Sequence, residues 1–173
     1  MAKGINFASL SLMDALDLAI LIEDEARERY EEFVDQMEIH HTAEAGTFFR
    51  TMAGNETKHG QQLSDRRRAL FQADPSRMNR SMLWDVEAPD YDTTRAFMTV
   101  RQAMEVALQC EIKAYDYFAQ ALRYVVDPDV RRLFEELRDE ERVHQDLVRK
   151  EIEKLPPDSG ADPADYADEP VAQ

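Results

Sequence analysis

The sequence predicts an all-α protein, an antiparallel four-helix bundle with a long crossover between its second and third helices. Three observations lead there. Apolar residues recur at spacings of three and four through four long stretches. Those stretches carry no Pro beyond a single one at a helix start, and the whole chain has only five Gly among 173 residues. Connections of a few residues make the first and second stretches one hairpin and the third and fourth another. The roughly 20 residues from Ala73 to Asp92 can cross the length of a bundle.

Each element has its own start signal. Ser11 is placed to cap the first helix, with Asp14 three residues later, and the helix runs to about Gln36. Thr42 opens the second, which extends to about Phe71. Thr93 or Thr94 opens the third, ending near Val126. Asp127 followed by Pro128 is a cap with proline at the first helical position, and the fourth helix continues to about Lys154, before Pro156 and Pro157. Helices of roughly 28 residues are each about 40 Å long. The crossover holds the single Trp, Trp84. Residues 10–155 thus form one bundle domain. The tail 156–173, "PPDSGADPADYADEPVAQ", is rich in Pro and Asp and is expected to be disordered, with a docking arm as the alternative.

Composition removes several function classes. One cysteine, Cys110, excludes an internal disulfide framework and any four-cysteine iron or zinc centre, which fits a reducing compartment. The N-terminus does not read as a secretory leader and no run of about 18 apolar residues occurs, so a cytoplasmic location is expected. A formal net charge of −15 argues against nucleic acid or an anionic membrane as partner, since phosphate contacts need clustered Lys and Arg. Cations are the natural company of such a chain.

The two halves are related. "DLAILIEDEA" (17–26) lies over "EVALQCEIKA" (105–114), pairing Glu23 with Glu111 and Ala26 with Ala114. Farther on, at an offset of 85, Phe49 pairs with Phe134, Met52 with Leu137, Glu56 with Glu141 and His59 with His144. Two hairpins of one pattern pack about a pseudo-twofold axis, which brings equivalent positions face to face.

A glutamate interrupts the inward stripe of every helix near its middle. The stripes read Ala15, Ala19, Ile22, Glu23, Ala26, Tyr30, Phe33 and Met37 on helix one; Phe49, Met52, Glu56, His59, Leu63 and Leu70 on helix two. Helix three gives Phe97, Val100, Met104, Glu111, Phe118 and Leu122, and helix four Val130, Phe134, Leu137, Glu141, His144, Val148 and Ile152. Antiparallel packing sets the interruptions at one level, collecting four carboxylates and two imidazoles. Leaving four such groups ionised and unpaired would cost several kcal/mol each, against a total stability of roughly 5 to 15 kcal/mol. Two divalent cations balance four carboxylates with neutral histidines. An oxygen-rich, imidazole-containing, thiolate-free site suits iron or manganese better than copper or structural zinc, although affinity alone admits zinc. The Glu-x-x-His spacing on helices two and four puts carboxylate and imidazole on one helix face. The expected metal ligands are Glu23, Glu56, His59, Glu111, Glu141 and His144.

With those residues in view, the chain resembles the ferritin-like superfamily, and within it the rubrerythrins and bacterioferritins, over roughly residues 10–154. "EDEARERY" (23–30), "AGNETKH" (53–59) and "DEERVH" (139–144) carry the resemblance. It implies two iron ions on the six residues just named, with Glu56 and Glu141 as metal-bridging carboxylates. It also implies O2 or peroxide as partner, a homodimer, and Tyr30 near the metals as a hydrogen-bonding or redox side chain. Two departures stand out. Ala114 occupies the place of an additional rubrerythrin ligand glutamate, and one cysteine cannot build a rubredoxin-like domain. The six-ligand set resembles a bacterioferritin ferroxidase centre, and the electron donor must lie elsewhere. The implied function is a di-iron oxidoreductase that oxidises Fe(II) or reduces O2 or peroxide. The alternative is a bundle that binds metal for storage, sensing or structure without turnover. An oxygenase would need a lined cavity beside the metals, of which the stripe's large side chains give no sign.

The remaining notable residues have plainer readings. Cys110 points about 100° away from Glu111 and is expected to be buried and inert. Tyr115 and Tyr117 are expected to pack, His40 and His41 to be exposed. Glu25 and Glu140 read as solvated, Glu140 being near enough to support the centre. "DRRRAL" (65–70) reads as a salt-bridged surface or a dimer contact.

Overall fold

In a computed structural model that describes residues 5–40, 42–82, 86 and 98–157, the chain forms α1 (Leu12–Ile39), α2 (Ala43–Phe71), α3 (Val100–Ala121) and α4 (Pro128–Lys154). Short 3-10 turns at Phe7–Ser9 and Arg80–Met82 are the other regular elements among the described residues, and no strand occurs there. α1 packs most closely on α2 and α3 on α4, and the two hairpins approach each other less closely. This is the expected all-α bundle.

The caps explain the boundaries. Ser11 Oγ accepts from the Asp14 amide at 3.2 Å while Asp14 Oδ2 accepts from the Ser11 amide at 3.3 Å, a reciprocal box that satisfies two free donors. Thr99 and Gln102 form the same box at 3.1 and 3.0 Å. Asp127 Oδ1 accepts from the amides of Asp129 and Val130 at 2.8 and 3.1 Å, ahead of Pro128. Thr42 makes no side-chain cap. Its hydroxyl instead donates to the Met37 carbonyl at 3.2 Å, tying the start of α2 back to α1. A Cβ on Gly46 would stand 3.3 Å from that of Met37, so the missing side chain lets the helices approach.

Two boundaries differ from the sequence reading. α1 continues to Ile39, past Gln36. The described part of the third helix begins at Val100 and stops at Ala121 rather than Val126; Thr93, Thr94 and Phe97 lie outside the described residues. Val125 turns inward at 2% exposure, its carbonyl accepts from Arg131 Nη2 at 2.6 Å, and Asp127 must leave helical geometry to cap α4. Trp84, His41 and residues 158–173 of the expected tail also lie outside the described residues. At the other end of the second hairpin, Arg101 donates to the carbonyls of Ile152, Leu155 and Pro156, closing the end of α4 onto the start of α3.

The first part of the crossover runs along α1, held by Arg77 on Asp14 and by both Arg80 guanidinium nitrogens on Glu28 at 2.6 Å. Arg67 anchors its beginning. Its Nε donates to Asp17 at 2.8 Å and its other nitrogens to the carbonyls of Gln72 and Asp74 at 3.0 and 2.6 Å. "DRRRAL" is therefore only partly a surface cluster. Arg66 and Arg68 pair with Glu136 and Asp65 on the outside, whereas Arg67 takes the inward position expected of Leu70, which is 54% exposed in the last turn of α2. Arg67→Ala will lower the melting temperature of the metal-free protein by several degrees, because Asp17 and two carbonyls lose their donor together. Differential scanning calorimetry checks this.

The apolar interior divides in two. One cluster gathers Leu16, Leu18, Ile22, Leu63, Phe118, Leu133, Phe134 and Leu137 near the start of α1. The other gathers Ala26, Tyr30, Phe33, Met37, Phe49, Met52 and Ala107 toward its end. On α3 the buried stripe runs through Ala103, Val106, Ala107, Cys110 and Ala114, leaving Val100 and Met104 half-buried. Along the chain, Glu23, Glu56 and Glu111 fall between residues of the two clusters, and Glu141 follows the α4 residues of the first.

Candidate metal centre

Glu23 projects from α1, Glu56 and His59 from α2, Glu111 from α3, and Glu141 and His144 from α4. All four glutamates are buried, at 5, 2, 0 and 3% exposure. They form two matching groups. In Glu23, Glu56 and His59 one donor atom from each side chain lies within 4.8 Å of the others, and the same holds for Glu111, Glu141 and His144.

The geometry repeats across the pseudo-twofold. His59 Nδ1 lies 3.7 Å from Glu23 Oε2 and 3.4 Å from Glu56 Oε2. His144 Nδ1 lies 3.2 Å from Glu111 Oε2 and 3.6 Å from Glu141 Oε2. The two imidazoles stack face to face, centroids 4.8 Å apart and 3° from parallel. All six sequence-predicted ligands are therefore brought together as two equivalent triads whose imidazoles touch.

Each of the four carboxylates has an imidazole as its close cationic neighbour among the described residues. Glu23 Oε2, Glu56 Oε2, Glu111 Oε1 and Glu141 Oε2 are buried and accept no hydrogen bond. Burial pushes the Glu56 carboxyl up to about 7, reinforced by Glu23 and Glu111, although His59 draws it down. Burial likewise pushes Glu141 well above the usual carboxylate range. The Glu23 and Glu56 carboxylates beside it, 3.7 and 3.4 Å from its Nδ1, hold the His59 imidazolium up to about 10. Burial works against the charged His144, but Glu111 and Glu141 outweigh it and raise it to about 11. Orphaned buried oxygens are rare because each forfeits about 1 to 3 kcal/mol of solvation. Four of them, one on each of four helices, fit a pair of divalent cations with carboxylate and imidazole donors.

The surroundings supply support and access. Gln145 is buried and donates to the Glu111 carbonyl at 3.1 Å, while Arg149 donates to its side-chain oxygen at 3.1 Å. Sequence reasoning missed this residue, although a polar side chain four positions after Glu141 on an inward stripe is a readable signal. Cys110 is buried as expected, its thiol donating to the Val106 carbonyl. Tyr30 is fully buried and stacks on Phe49, centroids 6.0 Å apart. Tyr117 packs edge-on against Phe7 and Phe118. His40 is exposed. Ala114 is completely buried, so no additional carboxylate enters at that position. Beside His59 and Glu23 a cleft of about 110 Å³ opens between α2 and α4, with Glu140 on its wall. Partial burial raises the Glu140 carboxyl, opposed by His59 and His144.

Among the described residues no helix is long and apolar enough to cross a membrane. No curated protein matches the chain significantly. A solved structure of an uncharacterised conserved protein from Magnetospirillum magnetotacticum MS-1 is 35% identical; the match covers 86% of this chain and 98% of that one, with a TM-score of 0.64. A hypothetical protein from Pyrococcus furiosus, 22% identical over 84% of this chain and 90% of its own, has a TM-score of 0.52 and shares the fold. The rubrerythrin family model matches residues 14–152, a span that contains all four helices but for a few terminal residues and all six clustered side chains. With that span and that bundle, the chain belongs to the rubrerythrin family of the ferritin-like superfamily.

Proposed function

We propose that the protein is a non-haem di-iron oxidoreductase that oxidises Fe(II) or reduces O2 or peroxide at a dinuclear carboxylate-histidine site. The observation that carries this reading is the set of four buried carboxylate oxygens, one per helix, that accept no hydrogen bond. Glu23, Glu56 and His59 would hold one iron and Glu111, Glu141 and His144 the other. Two iron ions supply two one-electron changes, which matches the reduction of a peroxide or the first reduction of O2.

The chain's own residues do the rest. The apolar clusters above and below the layer keep bulk water from most of the centre, which strengthens every charge interaction inside it. Gln145 fixes α4 against the α3 backbone at Glu111. His59 and His144 give up their Nδ1 protons as they turn from ion-pair partners into ligands. Tyr30, seven residues after Glu23 on the same stripe and fully buried, would be the side chain to hydrogen-bond a ligand carboxylate or to supply an electron. The one cysteine among these 173 residues, Cys110, cannot form a four-cysteine iron site, so the bundle itself does not supply that kind of electron donor.

Mixing anaerobic, Fe(II)-loaded protein with O2 or peroxide tests the reading. A near-ultraviolet ferric absorption band is expected within minutes. Tight binding of two Fe(II) without such a band would identify a metal-binding bundle that does not turn over.

A further inference from the structure

The internal duplication leads one to expect the same surroundings on both sides of the centre, and the surroundings differ. On the Glu23 and His59 side, the cleft between α2 and α4 is walled by Gln62, Arg66, Glu136 and Glu140, with leucines behind them. Arg66 Nη1 and Glu136 Oε2 pair at 2.7 Å across it, both partly exposed. Glu140 makes no hydrogen bond or ion pair with another described residue. At the inner wall stands Glu23, 5% exposed, with an oxygen that accepts no hydrogen bond.

The equivalent positions on the His144 side, offset by 85, are chemically different. Glu136 and Glu140 correspond to Thr51 and Asn55, Gln62 to Leu147, Arg66 to Glu151, and Leu133 to Phe48. One side therefore offers two acids, Glu136 and Glu140, on the approach to the buried Glu23 carboxylate. The other has the uncharged Thr51 and Asn55 in place of those two acids, Leu147 in place of Gln62, and a single acid, Glu151, in place of Arg66.

We propose that the α2–α4 cleft is the loading mouth of the centre, where an incoming divalent cation meets Glu140 first, passes the Arg66–Glu136 pair, and reaches Glu23. This rests on the reading of the six clustered residues as metal ligands. Glu140 is then a positioning residue for entry. It speeds capture of the ion by raising its local concentration at the mouth, without contributing to the final affinity.

Stopped-flow absorption of Co(II) binding, which needs no turnover, tests it. The E140Q variant should bind roughly threefold to tenfold more slowly at low salt, and the difference should shrink as ionic strength approaches about 1 M. Its final Co(II) spectrum and stoichiometry should equal the wild type's, and N55A on the opposite side should bind at the wild-type rate. Equal rates for E140Q and wild type would overturn the route while leaving the centre standing. A reduced end point in E140Q would make Glu140 a ligand and overturn its role at the mouth. A wild type that binds no Co(II) would overturn the centre, and the route with it.

Discussion

Metal-free protein given a free divalent cation at about a thousandfold above Kd gains about 4 kcal/mol for each site filled, a rise of roughly 10 °C in melting temperature. Glu56→Ala and Glu141→Ala each remove that gain and lower bound iron, measured by elemental analysis, below two per chain. The direction follows from burial. Glu56 and Glu141 are 2 and 3% exposed, and each carries an oxygen that accepts no hydrogen bond. In the unloaded chain such a carboxylate is a liability, and a cation turns it into an asset. Glu56→Gln separates this from simple damage, because it keeps the shape and removes the charge. The unloaded Glu56→Gln protein should melt no lower than the unloaded parent, yet gain little on adding metal. Retention of two tightly held metals by both alanine variants would refute the assignment.

The second large effect is on pH. Between the unfolded value of 6.5 and folded values of about 10 and 11, His59 and His144 hold protons that the unfolded chain has released. Their stabilisation is complete below 6.5 and is lost as pH climbs through those folded values. Glu56, raised from 4.5 to about 7, acts in the same sense, its contribution fading as pH rises between those limits. The unloaded protein therefore weakens from mildly acidic to alkaline conditions. The loaded protein behaves oppositely, since ligation needs neutral imidazole and ionised carboxylate, and each proton expelled adds up to about 1.4 kcal/mol per pH unit to the apparent binding energy. The melting-temperature gap between loaded and unloaded protein should widen steadily from pH 6 to pH 9 on the order of several degrees. Calorimetric titration in buffers of different ionisation enthalpy should show at least two protons released per pair of metals, one from each imidazolium, and more toward acidic pH as the raised Glu56 and Glu141 carboxyls also ionise. A gap independent of pH would contradict the protonation states assigned here. Neutralising the rings also removes repulsion between two imidazolium faces stacked 4.8 Å apart.

The bundle and the six clustered side chains were legible because their signals are local and repeated. A glutamate inside an apolar stripe is a conflict between neighbours in one helix, and it recurs on all four helices. The duplication then supplied the long-range information that periodicity lacks, since positions related by pseudo-symmetry must meet. What escaped depends on partners distant in sequence. Arg67 faces inward because Asp17, fifty residues earlier, and the carbonyls of Gln72 and Asp74 satisfy it; nothing in "DRRRAL" separates it from its two exposed neighbours. Leu70 fits the stripe by spacing yet stands in the last turn of α2, more than half exposed. Leu122 continues the apolar stripe of helix three, which carries the sequence expectation on to Val126, whereas Leu122 and Val125 are buried by a turn after Ala121. The cleft beside His59 was missed because it is made by what two helices leave between them.

The division of the interior has a consequence for how the protein can change. Phe134 and Phe49 lie in different apolar clusters, with the buried glutamates outside both. Substitutions at opposite poles should combine additively, each correctable by its own immediate neighbours. Evolution can thus remodel either pole at leisure, provided the acidic waist keeps its register.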